Sequence, residues 1–280
     1  MMWQVADFSG VQILTYALMT NHFHILVSVP GQVDIDDAEL VRRVAVLYDT
    51  DRARAVEAGL RGEAAESIRS EYLERMGDVS KFMKALKQRF SIWYNRNHGR
   101  VGTLWSERFK SVLVEGGGQA LRTVAAYIDL NPIRAGCCRD PKDYRFCGYA
   151  EALGGRGRAR EGLIRIMEKR RWKRAAWEYR MILFGKGYYT EKDKEGGITA
   201  EQWRETRERG GRLALGDALR CRVKYFTEGT ILGSQEFVER QFRENRDRFP
   251  PSRRSGARRM RGADWDGLYA ARDLRNEVFQ

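Results

Sequence analysis

An α+β fold is predicted for this 280-residue chain by three features. Residues 22–29 alternate strictly beside a second apolar strand, residues 78–97 and 119–131 carry apolar side chains at helical spacing, and a short third strand stands at 111–115. The first strand covers Val11 to Met19, Thr20-Asn21 is a short polar break, and the second strand returns to make a hairpin. In that second strand His22, His24, Leu26 and Ser28 share one face, and Phe23, Ile25, Val27 and Val29 the other. The chain has three histidines, and two of them project side by side here. Two neutral imidazoles at i and i+2 can share one divalent cation. The plainer alternative is a strand that merely carries two histidines.

Pro30-Gly31 ends the hairpin, and Asp34, Asp36, Asp37 and Glu39 lead into a helix around Leu40, Val44 and Leu47. A second surface helix is expected over 63–75. From Asp78 to about Asn97, Phe82, Leu86, Phe90 and Trp93 recur at helical spacing and read as core rather than as a row of base-stacking rings. Lys81, Lys84, Lys87 and Arg89 lie around the polar side, as a solvated face or as a phosphate track. Asn97-His98-Gly99-Arg100 closes the helix, and residues 103–110 run into the strand Ser111 to Glu115, which Gly116-Gly117-Gly118 stops. Between Gln119 and Asn131, Leu121, Val124, Ala125 and Ile128 form one buried helical face. Tyr127 and Asn131, four apart, stack at the edge of that face, where a cleft can open before Pro132 ends the helix.

Composition points to a polyanionic partner. Lys plus Arg number 51 against 38 Asp plus Glu, a formal +13 with a pI near 9.8, so nucleic acid stands ahead of a membrane surface. No apolar run reaches the length of a membrane span, and the N-terminus has no signal-peptide pattern, so a soluble, cytoplasmic protein is expected. Cys137, Cys138, Cys147 and Cys221 lack the paired spacing of a structural zinc site and read as reduced. After a first domain over 1–150, residues 151–160 read as a basic Gly/Arg linker. Residues 161–248 read as a helical region able to bind DNA, with helices at 200–209, 214–226 and 234–245, and 249–280 as a basic tail without a core of its own.

Three stretches carry a resemblance. Tyr16 to Val27 with its Asn-His-Phe-His centre, Gly102-Thr103-Leu104-Trp105-Ser106-Glu107-Arg108-Phe109-Lys110-Ser111, and Tyr127-Ile128-Asp129-Leu130-Asn131-Pro132-Ile133-Arg134-Ala135-Gly136 stand in the order found in single-tyrosine HUH transposases. Within that group the chain resembles the REP-associated tyrosine transposases, over roughly residues 11–150. The resemblance implies a ferredoxin- or RRM-like α+β fold, with a central antiparallel sheet and flanking helices. It implies His22, His24 and Asn131 as ligands of Mg²⁺ or Mn²⁺, and Tyr127 as the nucleophile. The implied activity cleaves and rejoins single-stranded DNA beside hairpins through a 5′-phosphotyrosine intermediate, in a monomer or a homodimer. Arg108, Lys110 and Arg134, in or beside the matched stretches, join Lys84 and Lys87 as candidate phosphate contacts. The ten residues before the hairpin have room for part of a helix only, so the family's first strand is expected to be missing. A catalytically silent, transposase-derived nucleic-acid binder is the alternative, and a hydrolytic metalloenzyme using the His-x-His pair ranks below both.

Overall fold

The computed structural model describes residues 1–29, 31, 34–184, 214–228, 230–272 and 278. Within them the chain is mixed α+β with small sheets, and it divides into two compact units: Met1–Ile13 with Val27–Phe109, and Leu14–Leu26 with Lys110–Gln280. The expected helix at 200–209, Pro30 and Gly229 lie outside the described residues.

The first unit is helical. Helix α1 (Met2–Ser9) ends at Gly10, whose φ of 68° lets the chain reverse in the left-handed region. In the hairpin, β1 is Gln12–Leu18 and β2 is Phe23–Ser28. Helix α2 (Asp37–Leu47) is capped by Asp36, whose carboxylate accepts the Glu39 N–H at 2.8 Å. Helices α3 (Thr50–Gly59), α4 (Ala65–Leu73) and α5 (Val79–Asn97) follow. Their core joins Val5 and Phe8 to Leu40, Val44, Val56, Tyr72, Phe82 and Leu86. Phe8, Tyr48 and Tyr72 meet edge to face, and the Arg75 guanidinium lies 5.2–5.7 Å from all three ring centres.

The aromatic run on α5 is only half core. Phe82 and Leu86 are buried, but Trp93 is 49% exposed. The periodicity marks a face, and only the first half of that face finds partners among the helices of this unit.

In the second unit β1 and β2 form a two-stranded sheet, and β1 is bridged on its other side by Ala17 and Cys147. The third expected strand shrinks to β3 (Leu113–Val114). Helix α6 (Gly118–Asp129) is largely buried, and α7 (Asn131–Arg134) follows with Pro132 in its first turn. Next come α8 (Gly148–Leu153), α9 (Gly157–Met167), α10 (Trp172–Phe184), α11 (Leu215–Arg220), α12 (Lys224–Glu228), β4 (Ile231–Gly233), α13 (Gln235–Glu244), β5 (Arg258–Arg259) and β6 (Tyr269–Ala270).

Three expectations need correction. The described residues hold two sheets instead of one central sheet: β3 pairs parallel with β4, and β6 and β5 extend that second sheet antiparallel. Backbone bonds from Leu113 N to Thr230 O (2.8 Å) and Glu115 N to Leu232 O (2.9 Å) hold β3 there. A short strand's alternation sets which face it buries but not which strand it pairs with. Residues 151–160 are no flexible linker, since α8 and α9 run through them. Ala159, Gly162, Leu163, Ile166 and Met167 form a buried helical stripe beneath the basic composition. Residues 249–272 are no coreless tail either. Met260 and Trp265 are buried, and Arg246 and Arg253 donate to the carbonyls of Phe249, Pro250, Ser255 and Gly256. These arginines tie down turns through backbone carbonyls.

Candidate active site

The turn between β1 and β2 is closed by Met19 N donating to His22 O at 2.9 Å. His22 and His24 then fall on one face, with ring centres 5.2 Å apart. The His22 Nδ1–H donates to Asn21 Oδ1 at 2.7 Å. That bond selects the tautomer whose Nε2 lone pair is free for a metal. Burial, then the positive charges of Arg222 and Arg134, lower the His22 pKa. Burial, His22 and Arg134 push His24 down to about 4. Both rings are therefore neutral near pH 7, the form that ligates cations.

Helices α6 and α7 bring the other two residues. The Asn131 amide nitrogen donates to the carbonyls of Tyr127 (3.3 Å) and Ile128 (3.1 Å), which turns its Oδ1 away from the backbone as an acceptor. Tyr127 is only 3% exposed. Its ring lies 3.9 Å from the Arg134 guanidinium, 4.6 Å from the Phe226 ring centre and 6.4 Å from that of His24. The Val223 N–H approaches its hydroxyl at 3.5 Å.

These residues line one cavity of about 420 Å³, together with Lys110, Asn21, Arg222, Thr227 and Glu228. Two imidazole nitrogens and an amide oxygen suit a divalent ion such as Mn²⁺. Among the described residues no group of three or more His, Cys, Asp or Glu is arranged to hold a metal, so a third protein donor beside the two imidazoles would be a neutral oxygen such as that of Asn131. Lys110, Arg134 and Arg222 face one carboxylate, Glu228, which is itself paired with Arg272 at 3.0 Å. The cavity therefore favours an anion.

Of the nine residues singled out in the sequence, six meet here: His22, His24, Asn131, Tyr127, Lys110 and Arg134. Arg134 also donates to Tyr127 O and Leu219 O, both at 2.5 Å, and burial pushes its pKa down to about 10, still cationic at neutral pH. Lys87 and Arg108 line a different groove in the first unit, and Lys84 is exposed on α5 and lines neither. Sequence reading missed Arg222, Thr227 and Glu228, which reach the cavity from in and just beyond the expected helix at 214–226, a helix to which no site residue was assigned, and it took Asn21 for a turn residue.

Asp129 was missed as well. Its carboxylate is fully buried and accepts from Thr15 Oγ1 (2.9 Å to each oxygen), Tyr179 OH (2.5 Å) and Tyr149 N (3.2 Å). These bonds tie β1, α8 and α10 to the helix that carries Tyr127. No sequence signal distinguishes a buried aspartate from a solvated one at a helix end.

The chain matches no family model, no curated protein and no solved structure.

Proposed function

We propose that this chain is a metal-dependent single-stranded DNA nickase and strand transferase of the HUH type, working as the REP-associated tyrosine transposases do. One observation carries the proposal: residues singled out in two separate stretches of sequence, His22 and His24 in one and Tyr127 and Asn131 in the other, line a single cavity with Lys110 and Arg134. In this proposal the hairpin is a remnant of the HUH sheet. The phenol oxygen of Tyr127 attacks the phosphorus as its proton leaves to solvent, the bond from phosphorus to the 3′-oxygen breaks, and that oxygen takes a proton from solvent and departs as a hydroxyl. The phosphotyrosine keeps the energy of the ester, so a second 3′-hydroxyl can reverse the step without ATP. His22, His24 and Asn131 would hold a Mg²⁺ or Mn²⁺, which would supply Lewis-acid polarisation of the scissile phosphate. Asn21 orients His22, Lys110 and Arg222 offset phosphate charge, and the Val223 N–H stands where negative charge on the phenol oxygen is stabilised.

The burial of Tyr127 under Phe226 favours a second reading, a silent binder of hairpin DNA. Denaturing electrophoresis after incubation with labelled single-stranded hairpin oligonucleotides and Mn²⁺ separates the two. A shifted band that disappears with EDTA and in Tyr127→Phe is expected. Hairpin binding without any adduct, from folded protein, leaves the silent binder.

A further inference from the structure

Helix α5 carries Lys81, Lys84, Lys87, Arg89 and Arg96 and not one carboxylate. Elsewhere Arg42, Arg43, Arg61, Arg69, Arg122 and Arg180 each meet an acidic side chain. Among the described residues none of the α5 cations does so. Lys87 instead spends its ammonium on the carbonyl of Glu107 at 2.8 Å and on the Trp105 ring at 5.1 Å. Those contacts are to neutral groups, and an incoming phosphate outcompetes them.

The same half of the helix exposes apolar surface. Ile92 is 53% exposed, and with Lys87, Leu104, Trp105, Arg108 and one carboxylate, Glu107, it lines a groove of about 620 Å³ between α5 and the loop 102–108. The Trp105 indole N–H donates to Lys87 O at 3.1 Å, which fixes the ring in the groove wall. Phe90 stands 5.6–6.0 Å from Trp93, Tyr94 and Trp105, so the rings form one strip. Scattered exposed apolar residues are ordinary, but a contiguous apolar and aromatic patch edged by cations that lack a carboxylate partner among the described residues is the kind of surface that marks an interaction site.

We propose that this groove is a second nucleic-acid site, which takes unpaired bases against Trp105 and Ile92 while Lys87 and Arg108 hold the flanking phosphates. Aromatic rings beside a cationic track suit single strands, because the bases of a duplex are already stacked on each other. The proposal deepens the nucleic-acid reading of the function but rests on α5 and its loop alone, and the groove shares no lining residue with the Tyr127 cavity.

The test is fluorescence anisotropy of labelled oligothymidine titrated with the full chain, beside a duplex of equal length. Single strand is expected to bind more tightly than duplex. Trp105→Ala should weaken binding about 5- to 100-fold while Trp105→Phe retains it within a few-fold. Lys87→Gln with Arg108→Gln should lower the salt slope by roughly one to two. Because Trp105→Ala can loosen the loop, Ile92→Glu is the companion variant: its site is already exposed, and an added negative charge should reduce affinity at unchanged melting temperature. Unchanged affinity in Ile92→Glu and in the Lys87/Arg108 pair overturns the proposal, as does equal binding of duplex. A dimer that dissociates in Ile92→Glu would mark the groove as a self-association face and also overturn it. His22→Ala with His24→Ala keeps the two readings apart, since that variant should lose the adduct and retain oligothymidine affinity. If no variant forms an adduct but binding still depends on the groove, the groove stands and the nickase falls.

Discussion

Asn21 sits one position before His22 and holds that ring's Nδ1–H at 2.7 Å. Partners of this kind typically contribute 10- to 100-fold to metal affinity, so Asn21→Ala should raise the Mn²⁺ concentration for half-maximal adduct formation about tenfold or more, with little change in melting temperature. Asp129 is fully buried, lies outside the cavity lining and acts on the structure through its hydrogen bonds. Burial raises its pKa to about 7 against the pull of its three hydrogen-bond donors, compared with ~3.9 in an unfolded chain. The sign follows from linkage. The folded state keeps the proton that the unfolded state releases, so this carboxyl's contribution is complete below about pH 4 and declines as pH rises towards 7. Urea denaturation should show that Asp129→Asn flattens the dependence between about pH 5 and about pH 7 relative to the unaltered chain. Asp129→Ala, which strands three donors, should cost about 3 kcal/mol below about pH 5 and less as pH rises towards 7. A flat difference between Asp129→Asn and the parent would refute this assignment.

Helix packing in the second unit combines large buried side chains such as Tyr149, Tyr179 and Ile166 with close backbone approach at Gly162. A Cβ on Gly162 would fall 2.2 Å from the Leu14 carbonyl oxygen, a backbone atom that cannot swing aside. Gly162→Ala should therefore separate α9 from β1 and destabilise the chain by about 1–3 kcal/mol, read from the urea midpoint. The same strand-to-helix contact explains why the stretch expected to be a linker is ordered. Its glycines and arginines look flexible by composition, yet Arg160 donates to Ala152 O at 2.9 Å and lies 5.0 Å from the Trp172 ring centre. Helix existence was legible wherever apolar spacing ran long: 78–97 and 119–131 correspond to α5 and α6 within two residues at either end. Strand pairing was not. The Glu115 carboxylate accepts the Ser234 N–H at 2.7 Å and its hydroxyl at 2.9 Å, a junction 119 residues apart that local pattern cannot announce.

The formal +13 lies in the second unit, because the fourteen basic and fourteen acidic residues of the first cancel. Its consequence belongs to the chain as a whole: affinity for single-stranded DNA should fall linearly with the logarithm of salt concentration, by about 0.7 log units per phosphate neutralised for each tenfold change in salt. An affinity indifferent to salt would contradict an electrostatic role for this charge. No helix among the described residues is long and apolar enough to cross a membrane.

Residue identity and local spacing were sufficient for the histidine pair, for Tyr127 and Asn131 one turn apart, for the long helices and for the basic character, because each depends on neighbours within a few positions. What surrounds those residues depends on contacts across the chain. Phe226 and Val223 cover Tyr127 from about a hundred positions away, Asp129 is buried by Thr15 and Tyr179, and β3 joins β4 instead of the hairpin. Short-range periodicity records which side of an element is apolar. The partner that covers that side is chosen by shape, hydrogen-bond satisfaction and burial summed over the folded chain, and the half of α5 left uncovered became visible only once those partners had been assigned.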